Sequence, residues 1–259
     1  MVSSVSIISI ARNNKEGLAK TFNSVLSQTY KNWELIIIVA PSVDGTNELS
    51  VNLASSDSRV ETHLQIGLGI YSAMNQGLKE AKGEYAWFLN SGDEFYDEFT
   101  LEYAVEEIEL LDADLLIGGY ELSGFNHSKQ YLKTSKKLSS LEFAFNRRGG
   151  CHQAMLFNTN RVLDSGGFDL NFELASDFDL VMKIVKKRNT FRIDKILASI
   201  EPGGVSDQRI YEVVREKHLI RQSHFARKTL IFFISLGWGI AVKMKIRSRN
   251  LLQLLRKAL

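Results

Sequence analysis

Two short acidic stretches carry the side chains best suited to chemistry. Asn90-Ser91-Gly92-Asp93 follows the apolar run Tyr85 to Leu89, and Ala175-Ser176-Asp177-Phe178-Asp179-Leu180 opens a stretch of helical spacing. A carboxylate in the first can hold a divalent cation against a diphosphate, where the ion offsets charge on a departing group. Oxygen ligands suit Mg²⁺ or Mn²⁺. A carboxylate in the second can take the proton of a hydroxyl as general base. Each stretch also has a plain structural reading. Asn, Ser, Gly and Asp are common turn residues after a strand. Ser176 is a good N-cap, and acids in a first helical turn meet the positive end of the helix dipole. Both readings hold together if Asp179 serves the helix while Asp177 faces a site. His152-Gln153 joins the flexible Gly149-Gly150-Cys151 to the apolar Ala154 to Phe157, a plausible binding edge. Gly67 and Gly69 precede a helical stretch whose N-terminus can receive phosphate. No His/Cys/Asp group has zinc spacing, and there is neither a Walker loop nor a Gly-x-Ser-x-Gly elbow.

The elements that must position these residues follow from periodicity. Val5 to Ala11 is an apolar, β-branched run suited to a buried strand, ended by the turn residues Asn13 and Asn14. Leu18, Phe22, Val25 and Leu26 share one helical face. Glu34 to Val39 reads as a second buried strand, with a loop at Pro41, Ser42, Asp44 and Gly45. Helical spacing returns at Ile70, Ala73, Met74, Leu78 and Ala81, with Gly83 placed to end that helix. Tyr85 to Leu89 is a strand, Leu101 to Leu111 a helix, Asp114 to Ile117 a strand, and Ser176 to Arg188 a helix. Ile210, Val213 and Val214 suggest another. Between Tyr120 and Gly150 the pattern weakens into a basic surface excursion with Lys129, Lys133, Lys136, Lys137, Arg147 and Arg148. Strands alternating with helices predict an α/β fold, a Rossmann-like, mostly parallel sheet flanked by helices. Ligands of such sheets bind beyond the carboxyl ends of the strands. Asn13-Asn14, the loop from Pro41 and Asn90 to Asp93 should therefore gather at one rim.

A chain of 259 residues with 44% hydrophobic and 24% charged residues can bury one sizeable core. A net charge of +2 excludes a dedicated nucleic-acid binder, which would be more basic and clustered. The single cysteine, Cys151, allows no internal disulfide and fits a reducing compartment. The N-terminal stretch reads as a buried strand rather than a signal peptide. The expected division is a domain over residues 1–224 and a tail over 225–259. Within the tail, Thr229 to Val242 is almost wholly apolar, with Arg227 and Lys228 before it and Lys243, Lys245, Arg247 and Arg249 after it. It falls short of the ~20 residues a spanning helix needs. It reads as a membrane-surface segment, with a helix packed on the domain or on a second subunit of a homodimer as the other reading.

Taken in order, these pieces resemble the family 2 inverting glycosyltransferases, most of all bacterial members that build exopolysaccharide, capsule or O-antigen. The resemblance runs from about Val5 to Ser206. It comprises SIISIARNN, SVLSQTYKNWELIIIV with SVDGT, GIYSAMNQGLKEAKGEYAWFLNSGDEF, HQAMLF, GGFD, ASDFDL and GGVS. It implies the A-type glycosyltransferase fold, a nucleotide-sugar donor and a glycan or lipid-linked acceptor; with the N-terminal strand and the basic, apolar tail, the expectation is a cytoplasmic enzyme peripheral on the inner membrane. It implies Asp93 as the ligand of a divalent cation (Mn²⁺ or Mg²⁺) and Asp177 as the general base. Ala11, Arg12 and Asn14 would line the nucleotide pocket, and Tyr71 and Asn75 would approach the donor. Asn90 and Ser91 would touch ribose or metal, and His152 would sit near the sugar. The chain departs from the family pattern at Val39-Ala40-Pro41, where an acid usually bonds the base, and at Asn90, where the metal motif usually opens with an acid. Two other readings stand beside this one: a non-catalytic glycosyltransferase-like binding protein, and a sugar nucleotidyltransferase.

Overall fold

The computed structural model describes residues 3–124, 136–145 and 150–225. In chain order the elements are β1 (Val5–Ala11), α1 (Lys15–Leu26), β2 (Trp33–Val39), α2 (Thr46–Ser56), β3 (Val60–Leu64), α3 (Ile70–Glu80), β4 (Tyr85–Phe88), β5 (Glu94–Phe95), α4 (Thr100–Leu110), β6 (Leu115–Leu122), β7 (Lys136–Lys137) and α5 (Ser140–Phe145). A 3-10 turn at His152–Ala154 then leads into β8 (Met155–Asn158), α6 (Thr159–Asp164), α7 (Ser176–Lys187), β9 (Thr190–Ile200), α8 (Val205–Gln208) and α9 (Ile210–His224). The described strands form one sheet ordered β3-β2-β1-β4-β8-β6-β9-β5, with β7 also on β9.

β1 pairs in parallel with β2 and β4, β2 with β3, and β6 with β9, while β8 runs antiparallel between β4 and β6. It follows that β1, β2, β3, β4, β6 and β9 all point the same way. The mostly parallel α/β sheet expected from the sequence is present. Its central strands are apolar without alternation because both faces are covered. Ile7, Ile37 and Trp87 share a buried cluster with Leu18, Phe22 and Val25 of α1 and Leu101, Val105 and Ile108 of α4. Ile8 and Ile38 face the other way, against Gly77 of α3.

The structure corrects several local expectations. Gly83 does not end α3, which stops at Glu80 with Ala81 already extended. Gly83 is a close-approach glycine instead, since a Cβ there would lie 2.5 Å from the Ser6 backbone nitrogen. Ser176 is not the N-cap of α7. Ala175 holds that position, and the Ser176 hydroxyl is buried without a hydrogen-bond partner among the described residues. Packing places this helix instead: burying Phe178, Val181, Met182 and Val185 is worth roughly 1.5–3 kcal/mol each, against about 1 kcal/mol for a cap.

The stretch from Tyr120 is not all surface excursion. β6 continues to Leu122, and α5 buries Phe143, whose ring stacks on Phe178 at 5.2 Å. Lys129, Lys133, Arg147 and Arg148, and the apolar segment 229–242, lie outside the described residues. The chain divides into two compact units, Met1–Gly204 and Val205–Leu259. The first holds the whole sheet, and the second begins with α8 and α9. The sequence placed its boundary later, after residue 224.

Candidate active site

The carboxyl ends of β1, β2 and β4 do meet at one rim. Asn13 takes a positive φ of 47°, which Asn tolerates, and lays the chain against the loop after β2. Its backbone N–H donates to Ser42 Oγ (2.9 Å), and its Oδ1 accepts from the Val43 N–H (2.9 Å). Asn14 caps α1, with Oδ1 accepting from the Gly17 N–H at 3.1 Å. Its Nδ2 donates to the Ser91 carbonyl (3.1 Å), and Ser91 Oγ returns a bond to the Asn14 carbonyl (3.1 Å). Asn14 thus ties the first strand loop to the third. Ala11 is buried beneath this junction and Arg12 is exposed on it. No acid stands at the end of β2, where Val39 and Ala40 are buried. The nearby Asp44 carboxylate is committed to the Lys15 N–H and to Thr46, whose hydroxyl bond is the main reason its pKa is lowered.

Asp93 turns inward from the same loop. It is 5% exposed, its Oδ2 accepts from Gln153 Nε2 (2.9 Å), and its Oδ1 accepts from the Glu201 backbone N–H (3.0 Å). Burial pushes its pKa up to about 6, against the lowering effect of those two bonds. Gln153 is itself fixed by its carbonyl, which accepts from Trp87 Nε1 at 2.8 Å. Gly92 has φ 101°, and a Cβ there would fall 2.4 Å from Glu201 Oε2. The positive φ is what favours glycine here, since the Glu201 carboxylate is the mobile end of an exposed side chain.

Asp177 lies across the rim in the first turn of α7, where the helix dipole favours its charged form. Its Oδ1 accepts from Tyr71 Oη (3.1 Å) and from the Phe178 N–H (2.8 Å). Its Oδ2 lies 3.3 Å from His152 Nδ1, and the Asp177 side chain keeps 22% of its surface exposed. An ionised carboxylate only accepts, so Nδ1 carries the proton. In a neutral ring Nε2 is then an acceptor, which suits the Asn90 Nδ2 donor found 3.2 Å away. Asn90, His152, Asp177 and Tyr71 therefore form one connected chain from the loop to the base candidate. Among the described residues, Asn90 Oδ1 is left buried and without a hydrogen-bond partner.

The residues named from the sequence separate into two groups. Asn14, Asn90, Ser91, His152, Asp177 and Tyr71 are brought together. Asn75 is spent elsewhere: its amide donates to the Phe168 carbonyl (2.8 Å) and accepts the Phe168 N–H (2.9 Å). Asp179 is 3% exposed and pairs with Lys183 at 2.8 Å, a helix-stabilising role. Asp93 is nearly buried and each of its oxygens already accepts one protein N–H, which weighs against direct metal ligation while leaving a lone pair on each oxygen. Among the described residues no three His, Cys, Asp or Glu side chains converge as a metal site. Gln153 was read from the sequence only as part of the His152-Gln153 edge and Glu201 not at all, since their contacts to Asp93 span 60 and 108 residues.

A sheet of this order, with its polar chain strung along the carboxyl-end rim, defines an α/β protein of the A-type glycosyltransferase fold. The same architecture occurs in S. aureus TarS, with TM-score 0.70 at 18% identity over 89% of this chain. The match spans 42% of the TarS chain, and 70% of its 1–349 form in complex with UDP-GlcNAc. It also occurs in the Pyrobaculum calidifontis mannosyltransferase PcManGT in complex with GDP-Man and Mn2+, with TM-score 0.61 at 11% identity, covering 95% of this chain and 76% of that one. In sequence, an uncharacterized glycosyltransferase of Mycobacterium tuberculosis is 26% identical over 208 residues, covering 79% of this chain and 78% of its own. Residues 6–168 match the pattern of glycosyl transferase family 2, and the chain belongs to that family.

Proposed function

We propose that this chain is an inverting, hexosyl-type transferase. It moves a sugar from a nucleoside-diphosphate donor to a glycan acceptor, lipid-linked, in the synthesis of a bacterial surface polysaccharide such as O-antigen. The observation that carries the reading is Asp177, a partly exposed carboxylate held from two sides by Tyr71 and His152 and linked through His152 to Asn90. Two side-chain donors orient the group, and its side chain keeps 22% of its surface exposed.

In this reading Ala11, Arg12 and Asn14 line the nucleotide side, and Asn90, Ser91, Tyr71 and His152 line the sugar side. Asp177 takes the proton of the acceptor hydroxyl. The acceptor oxygen forms its bond to the anomeric carbon as the bond to the diphosphate breaks, and the electron pair leaves with the nucleoside diphosphate. Attack opposite the leaving group inverts the anomeric configuration. Arg12 and the first-turn amides of α3, whose N-cap Gly69 makes no side-chain capping bond, meet the charge that develops on the diphosphate. A divalent cation, Mn²⁺ or Mg²⁺, would come with the diphosphate, as Mn2+ accompanies GDP-Man in the Pyrobaculum protein. Asp93 stays outside its ligand shell as a buried anchor of the loop.

The test is Asp177→Asn. It should keep the fold and donor binding while transfer falls about 10²-fold or more, the scale of a lost general base. Asp179→Asn, which breaks the ion pair between a buried carboxylate and the partly exposed Lys183, should lower stability more than activity. Transfer by Asp177→Asn at the normal rate would remove Asp177 from this role.

A further inference from the structure

The Asn90–Asp93 loop is held from beneath by a helix that carries no residue yet assigned to the site. Thr21 on α1 is fully buried. Its hydroxyl donates to the Asp93 carbonyl at 2.7 Å, with the Asn90 carbonyl also in reach at 3.2 Å, and it accepts the Gly92 N–H at 3.0 Å. One side chain therefore engages the backbone of three of the loop's four residues. It does not act alone. Ser24 Oγ accepts the Phe95 N–H (2.7 Å), and Gln28 donates to the Asp97 carbonyl (2.8 Å) and accepts the Leu101 N–H (2.9 Å). With the Asn14–Ser91 pair, the side chains at 14, 21, 24 and 28, from the N-cap of α1 to just past its last residue, fall on one side by their spacing. They lace the following chain, from residue 90 to 101, along α1 in fixed register.

A polar hydroxyl buried inside an apolar face costs stability unless its bonds are made, so its bonds define the position of what it holds. We infer that Thr21 is a positioning residue for the donor site. Its hydroxyl sets the height and turn of the Asn90–Asp93 loop, and through Asn90 the orientation of His152. The inference rests on the reading that this loop receives the donor. Thr21 touches neither donor nor acceptor and acts only through the loop backbone.

The experiment compares Thr21→Val, nearly isosteric but without the hydroxyl, with Thr21→Ser, which keeps it. Binding of uridine and guanosine diphosphates is measured by calorimetry, and donor KM and kcat by transfer. Thr21→Val should weaken binding of the nucleotide that the wild type binds, and raise donor KM, by about tenfold, the scale of one lost hydrogen bond. Thr21→Ser should restore both to within about twofold on the same scale. Gln28→Met removes a buried bond just past the C-terminal end of α1 and should lower the melting temperature while leaving nucleotide affinity unchanged. If Thr21→Val does not fold, Thr21→Ala takes its place. Unchanged affinity in the hydroxyl-free variant, or an equal loss in Gln28→Met, overturns the positioning role. Gly92→Ala separates the two layers of the argument. If it and Thr21→Val both leave nucleotide affinity intact, the loop is not the donor site. If Gly92→Ala weakens binding and Thr21→Val does not, only the role of Thr21 falls.

Discussion

Asp93 is a carboxylate that folding draws almost wholly out of water. Its two hydrogen bonds recover only part of the cost, so its pKa stands at about 6 in the folded protein against an ordinary 3.8. A raised carboxylate pKa means that the folded state prefers the protonated form. This contribution to stability is fully present below pH 3.8, declines as pH rises through about 6, and is level beyond it. The span is worth about 3 kcal/mol at most. Denaturant unfolding from pH 4 to 7 should therefore show the wild type losing ground steadily to Asp93→Asn, with the difference flattening above pH 6. A difference that does not change with pH would mean that Asp93 is solvated, and would return it to the list of possible metal ligands. The sequence marked this residue as chemical and could not show that it points inward, because the groups that turn it lie at Gln153 and Glu201. Asp177 was legible for the opposite reason: its helix is strongly amphipathic and places it locally.

At the scale of elements, α3 shows how closely site and packing are joined. Gly77 lets this helix settle on the sheet, and a Cβ there would fall 2.5 Å from Ile8 Cγ2 and 3.3 Å from Ile38 Cγ1. The same helix carries Tyr71 at its first turn, against Asp177. Gly77→Ala gains helix propensity but overpacks the interface. Overpacking, at typically 1–3 kcal/mol, exceeds the gain of up to about 1 kcal/mol, so the variant should be the less stable in denaturant. It should also transfer more slowly as Tyr71 shifts. Equal stability would mean that the helix can rise without cost. Helices and strands with continuous apolar patterns, such as β1, β2, α3 and α7, could be read from periodicity alone. Those that could not have a physical reason. α2 buries only Thr46 and Ser50 and shows no apolar stripe. β3 is an edge strand, half covered. β9, the longest strand described, is interrupted in its buried pattern by exposed Asp194 and Lys195. Its burial comes from neighbours far along the chain.

For the whole molecule, the C-terminal segment after α9 carries the prediction. We expect its apolar run, with basic residues on both sides, to hold the enzyme on an anionic membrane surface at about 1 kcal/mol per basic residue. No helix among the described residues is long and apolar enough to cross a membrane. Full-length protein should float with anionic liposomes, and protein truncated after His224 should not. Equal flotation of the two would move the contact elsewhere, and an unfolded truncation would make the segment part of the core. The rim itself has a consequence for how the protein is made. Asp93 finds its partners 60 and 108 residues downstream, and Tyr71 meets Asp177 across 106. Closing such distant pairs costs chain entropy before it returns any contact energy, which makes them slow steps. The first strands and helices can pair soon after synthesis, whereas a nascent chain that has not yet delivered residue 201 leaves the Asp93 carboxylate half-partnered. Activity should therefore appear late in refolding, after most of the secondary structure has formed.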